Sequence, residues 1–125
     1  MIKLFTLINV VLNLMFSQYL LKTNLDHENL TGYWYCEDLS KSTIAIYHKN
    51  DEWFGTIIKS EDRSKIGKTP LLKFKYNHEK KEYIGIVQSS SGIQMDGTII
   101  LVNHNTIKLI GKKLFITKTF ELKKQ

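Results

Sequence analysis

The chain is poor in the residues that usually announce chemistry. Of its 125 residues, one is cysteine, one proline and one arginine. A single cysteine, Cys36, excludes an internal disulfide and any Cys-x-x-Cys zinc pair. Its place in an apolar strand points to burial. Pro70 and seven glycines leave no stretch for a long flexible linker, and there is no internal repeat. Eighteen basic residues outnumber twelve acidic ones for a formal +6, yet Arg63 is the only arginine among them. Nucleic-acid sites lean on arginine for bidentate contacts to phosphate and guanine, so no nucleic-acid partner is expected. A scattered lysine excess reads as a solvated surface that favours, at most, loose contact with anionic membranes or polymers.

Catalytic groupings are equally scarce. His27, His48, His78 and His104 share no His-x-His or His-x₃-His spacing, so no metal site is expected. Ser89, Ser90 and Ser91 form a loop without a Gly-x-Ser-x-Gly elbow. Asp51, Glu52, Glu61, Asp62, Glu79 and Glu82 fall in loops or at strand ends, and nothing pairs two of them across an apolar pocket. Lys73 and Lys75 alternate with Phe74 and Tyr76, as on an oligonucleotide-binding strand, but the two sets point to opposite faces. The chain therefore reads as a non-enzyme with no catalytic residue and no cofactor.

No apolar run reaches the ~20 residues that span a bilayer. Met1-Ile2-Lys3 leads into Leu4–Phe16, which is apolar except for Thr6, Asn9 and Asn13. That is the length of an export-signal core. Residues 1–17 are expected to be a signal peptide cleaved after Ser17, although Met15 stands where a small residue is preferred. Residues 18–30 are then a polar lead-in and 31–125 a single domain. The product is expected in the periplasm or outside the cell. Cys36 lies too far along for a lipid anchor, so no stable membrane insertion is expected after processing. The competing readings of the leader are a docked amphipathic helix or an uncleaved anchor.

What is present is a regular series of strand signals. Thr31–Glu37, Thr43–His48, Glu52–Ser60, Pro70–Tyr76, Glu82–Gln88, Gly92–Val102, Thr106–Gly111 and Leu114–Lys123 are predicted strands, separated mostly by tight turns. Eight short strands predict an all-β antiparallel up-and-down barrel, because closure removes the exposed edges. Such an interior is either just filled by side chains or holds one small ligand.

Alternation assigns the faces. Trp34, Cys36, Ile44 and Ile46 are expected inside, with Leu72, Phe74 and Tyr76 on the fourth strand. Ile93, Met95, Ile99 and Leu101 follow on the sixth, and Ile107 and Leu109 on the seventh. Leu114, Ile116, Phe120 and Leu122 complete the set. The third and fifth strands are apolar on both faces, which leaves Trp53 against Phe54, and Tyr83 against Ile84, undecided. Lys118 breaks the pattern, since it falls on the inward face between Ile116 and Phe120.

Gly32-x-Trp34 on a first strand resembles the calycin superfamily, the lipocalin-type barrels. That resemblance implies a tryptophan sealing one end, with a basic residue of the last strand across it; Lys118 or Lys123 is the expected latch. Longer runs resemble a family of small exported bacterial proteins catalogued only as a domain of unknown function. They include Leu30-Thr31-Gly32-Tyr33-Trp34, Ile46-Tyr47 through Trp53-Phe54-Gly55-Thr56-Ile57-Ile58, and Thr69-Pro70-Leu71-Leu72. Asp96-Gly97-Thr98-Ile99-Ile100-Leu101 through Thr106–Gly111 is similar to that family's second half. The family's Tyr-Asp-Pro segment is missing, and its Gly-Arg-Thr-Gln-Thr-Trp ending is here Phe115-Ile116-Thr117-Lys118-Thr119-Phe120. The resemblance implies fold and export rather than chemistry.

Two functional readings follow. In the first, the barrel binds a small apolar or amphipathic ligand, with Trp34, Ile46, Phe74, Met95, Leu101, Leu109, Lys118 and Phe120 lining the site. Lys118 is then either an anchor for a carboxylate or a structural latch. In the second, the core is solid and the domain is an envelope interaction module, with Tyr33, Tyr35, Ile100 and Ile110 as outward apolar contacts and no identified protein partner.

Overall fold

A computed structural model describes residues 29–125. The expected signal peptide and most of the lead-in lie outside the described residues. Eight strands follow in order: β1 Gly32–Cys36, β2 Ser42–Lys49, β3 Glu52–Lys59, β4 Leu71–Asn77, β5 Glu82–Gln88, β6 Gln94–Asn103, β7 Thr106–Lys113 and β8 Ile116–Lys124. A short 3-10 helix, Arg63–Lys65, sits in the β3–β4 loop. Each strand pairs antiparallel with the next, and β8 returns to β1, so the sheet is a closed up-and-down barrel. The closing seam is short: only Trp34↔Lys124 and Tyr35↔Lys123 are paired.

Alternation places most inward residues as expected. Trp34, Cys36, Ile44, Ile46, Phe74, Ile99, Ile107, Leu109 and Leu122 are buried, and Met95, Tyr76, Leu101 and Phe120 pack against them. The undecided strands resolve to Trp53, Gly55 and Ile57 inside on β3, and Tyr83, Gly85 and Val87 on β5. Phe54 lies on the outer face, stacked on Tyr47 of β2.

Three expectations need correction. Leu71, not Leu72, is the first buried residue of β4. The β4–β5 register slips between Leu72 and Lys75, and Lys73 adopts φ +54. This is a bulge, and one extra residue shifts the inward set by one. Ile93 lies before β6 in an exposed loop. Leu114 and Ile116 are also exposed, because β7 and β8 run past the end of the core and turn beyond it.

The bulge brings Leu71 and Phe74 inward together, and glycines make room for Phe74. A methyl group on Gly85 would lie 2.6 Å from Phe74 Cγ, 2.7 Å from the Leu72 carbonyl oxygen and 2.8 Å from Phe74 Cα. One on Gly97 would lie 2.7 Å from Phe74 Cζ. The ring therefore rests against two bare patches of sheet. Around the β2–β3 turn end, Trp53, Tyr76 and Tyr83 meet edge to face, with centroid separations of 6.4 Å for Trp53–Tyr83 and 5.0 Å for Tyr76–Tyr83. Aromatic rings pack that half of the tube.

Gly85→Ala should destabilise the barrel by about 1–3 kcal/mol, because the new methyl meets backbone that cannot step aside. Gly111→Ala should cost far less, since its nearest neighbour is the flexible end of Met95 at 3.5 Å. Urea midpoints of the two variants check this; equal losses would contradict it.

Candidate functional site

Trp34 and its surroundings seal one end. Its indole Nε1 donates to the Leu30 carbonyl at 2.8 Å, so the buried ring leaves no polar atom unpaired. Leu30, which the alternation did not single out, is itself completely buried. The latch comes from Lys124, whose Nζ lies 5.6 Å from the Trp34 ring centroid. The seam register sets this choice, because Lys124 is the residue directly opposite Trp34. Lys123, one of the expected latches, alternates outward and pairs instead with Glu121 at 2.8 Å and with the Thr106 hydroxyl at 3.1 Å. Lys118, the other, pairs with Gly111 at the opposite end of β8.

That opposite end is hollow. A cavity of about 200 Å³ opens among the β1–β2, β3–β4 and β5–β6 loops. Its deepest walls are Cys36, Ile44, Val87, Leu109 and Leu122, all buried. Leu39, Met95 and Phe120 form its half-exposed sides. The mouth carries Gln88, Ser89 and Ser90 with two cations, half-buried Lys65 and exposed Lys118. None of the lining residues is acidic.

Of the eight lining residues expected from the sequence, Met95, Leu109, Lys118 and Phe120 line this cavity. Trp34, Ile46 and Phe74 are buried in the core and do not line it, and Leu101 packs against that core. Leu39 and Lys65 were missed because they belong to loops, where alternation carries no information; Pro70 was expected to begin a strand and lies in the loop before β4.

Local bonds hold the mouth open. The buried Ser42 hydroxyl donates to the Leu39 carbonyl and lies 2.8 Å from the Ser60 hydroxyl, tying the β1–β2 loop to the end of β3. Asp62 accepts from the Ser64 hydroxyl at 2.6 Å and its N–H at 3.1 Å, which holds the helical turn that carries Lys65. The β3–β4 loop folds back on β3, with Gly67 N–H on the Ile57 carbonyl at 2.8 Å. Ser89 closes the β5–β6 loop on itself, accepting from the Ile93 N–H at 3.0 Å.

The resolved acid–base shifts run away from neutrality. Burial pushes the Cys36 thiol up. Tyr35, which donates to Glu37, is pushed up to about 12. Hydrogen bonding from Ser64 lowers the Asp62 carboxyl, and hydrogen bonding from Lys123 lowers that of Glu121. Among the described residues, no three His, Cys, Asp or Glu side chains gather closely enough to hold a metal ion. Compared with family models, curated proteins and solved structures, the chain matches none.

Lys124→Ala should lower stability by about 0.5–1 kcal/mol, the worth of an exposed cation–π contact. Lys118→Met should leave stability unchanged, since that side chain is exposed and far from Trp34. Thermal denaturation of both variants checks the assignment. A loss on Lys118→Met with none on Lys124→Ala would reverse it.

Proposed function

We propose that this domain is an exported, lipocalin-like carrier of a small anionic amphiphile, such as a short-chain carboxylate. One observation carries the reading: an apolar cavity of about 200 Å³ whose mouth holds Lys65 and Lys118 and no carboxylate. Apolar walls favour a hydrocarbon tail, and paired cations above them favour a negative head. The volume is below the roughly 300–1,000 Å³ of pockets that take drug-sized ligands, so the tail is short. The cavity favours this reading over a solid interaction module. The kinship with the small exported bacterial family belongs to the same proposal, supported by the seal at Trp34. So does export, supported by the apolar leader.

Cys36 is a built-in reporter, being the only thiol of the chain and part of the cavity wall. At mildly alkaline pH, where more of its thiol ionises, octanoate or decanoate should slow its modification by methyl methanethiosulfonate. Palmitate and decanol should protect less. Lys65→Met and Lys118→Met should each weaken decanoate binding, by at most about fivefold for contacts this exposed. If no amphiphile protects Cys36 at millimolar concentration, the carrier reading falls.

Export has its own check. Expressed in a bacterium with its leader, the chain should be recovered outside the cytoplasm with the mass of a product starting at Gln18. Retention inside with residues 1–17 intact would remove this part of the proposal.

A further inference from the structure

The hairpin joining β7 to β8 breaks the chain's own pattern most sharply. Leu114 and Phe115 form its two-residue turn, 82% and 102% exposed, and Ile116 beside them is 61% exposed. Leu114 holds φ +55, a left-handed conformation that disfavours a side chain of this kind. The β2–β3 turn meets the same demand with Asn50 and Asp51, the residues turn chemistry favours. Ile93, in the β5–β6 loop at the same end of the barrel, is also 51% exposed.

Cations frame this tip. Lys112 and Lys113 precede it and Lys118 follows, with no acidic residue from Lys112 to Phe120. The nearest carboxylate along the sheet is Asp96, across from Lys112. The other acidic residues at this end, Glu37, Asp38, Glu61 and Asp62, belong to the β1–β2 and β3–β4 loops.

We propose that the β7–β8 tip docks the protein on an anionic lipid surface. Leu114, Phe115 and Ile116 enter the interface, and Lys112, Lys113 and Lys118 stay at the level of the headgroups. Apolar burial and attraction of lysines to anionic lipid are the two forces that hold a protein at such a surface, and both are present on one projection. A stable protein partner would need roughly 800 Å² on each side, which a protruding two-residue turn does not offer. Docking does not depend on what fills the cavity, although Lys118 also stands at its mouth, so the opening would face the lipid.

The test is flotation of the chain from Gln18 onward, which retains the closed barrel and its core but not the apolar leader. Vesicles of phosphatidylcholine alone are compared with vesicles containing phosphatidylglycerol. Binding should require phosphatidylglycerol and fall with added salt. Phe115→Ser should weaken it by about tenfold or more, from the lost burial of one aromatic side chain. Lys112→Gln with Lys113→Gln should weaken it by about tenfold or more as well. Thermal midpoints of both variants should match the parent, because all three positions are exposed. Equal flotation with neutral and anionic vesicles, or no effect of Phe115→Ser, would overturn the proposal. So would self-association without vesicles that Phe115→Ser abolishes, since that would give the tip to a second copy of the chain.

Discussion

The packing of this barrel turns on Phe74, whose ring lies against the glycines of β5 and β6. The bulge at Lys73 brings Phe74 and Leu71 to the same face, and Gly85 and Gly97 leave the ring its space. With Trp34, Trp53, Tyr76 and Tyr83, it packs the end of the tube away from the cavity. Beyond them, Phe120 is the one inward ring, at the side of the cavity. The other inward residues there include Ile44, Val87, Leu109, Leu122 and Met95, and a cavity remains. An eight-stranded barrel stands at the limit where side chains just fill the interior. Placing most of the inward aromatics at one end leaves the other end hollow.

The same division explains what the sequence disclosed. Strand count, order and closure were legible because alternation and turn residues are local signals. Trp34, Ile44, Ile99 and Leu109 all fell where alternation put them. The failures are non-local. A bulge is a one-residue slip that leaves no mark in composition, so Leu72 was placed where Leu71 lies. The latch depends on how β8 meets β1, and no strand-by-strand reading can supply that register. One signal was available for the ambiguous strands: Gly55 and Gly85 share the alternation of Trp53 and Tyr83. Such an inward glycine marks a place where a side chain from elsewhere lies: Leu71 and Ile44 at Gly55, Phe74 at Gly85.

The candidate site was only half legible for a related reason. Its walls come from strands, and Met95, Leu109 and Phe120 could be read from alternation. Its mouth comes from loops, where Lys65 and Leu39 are positioned by side-chain bonds of Asp62 and Ser42. Lys118 was visible as an inward-facing lysine, and its side chain is exposed. The strand runs on past the end of the core, so the amine reaches water at the rim, as long basic side chains commonly do.

Size and chemistry together limit what such a site can do. Each methylene buried is worth about 0.8 kcal/mol, so a six-methylene tail would gain roughly 5 kcal/mol. The exposed cations at the mouth would add at most about 1 kcal/mol apiece. Against these stands the loss of free motion on association, several kcal/mol or more. The gains before that loss sum to about 7 kcal/mol, so binding is weak, no tighter than roughly ten micromolar. Weak binding means rapid release, which suits a protein that exchanges its cargo where it is plentiful and poorly suits one that stores it. A lipid surface is such a place for an amphiphile. The end of the barrel that holds the opening is also the end that presents an apolar, lysine-framed tip. If that tip meets the surface, a cargo moves between membrane and cavity without crossing open water, and loose affinity is no handicap.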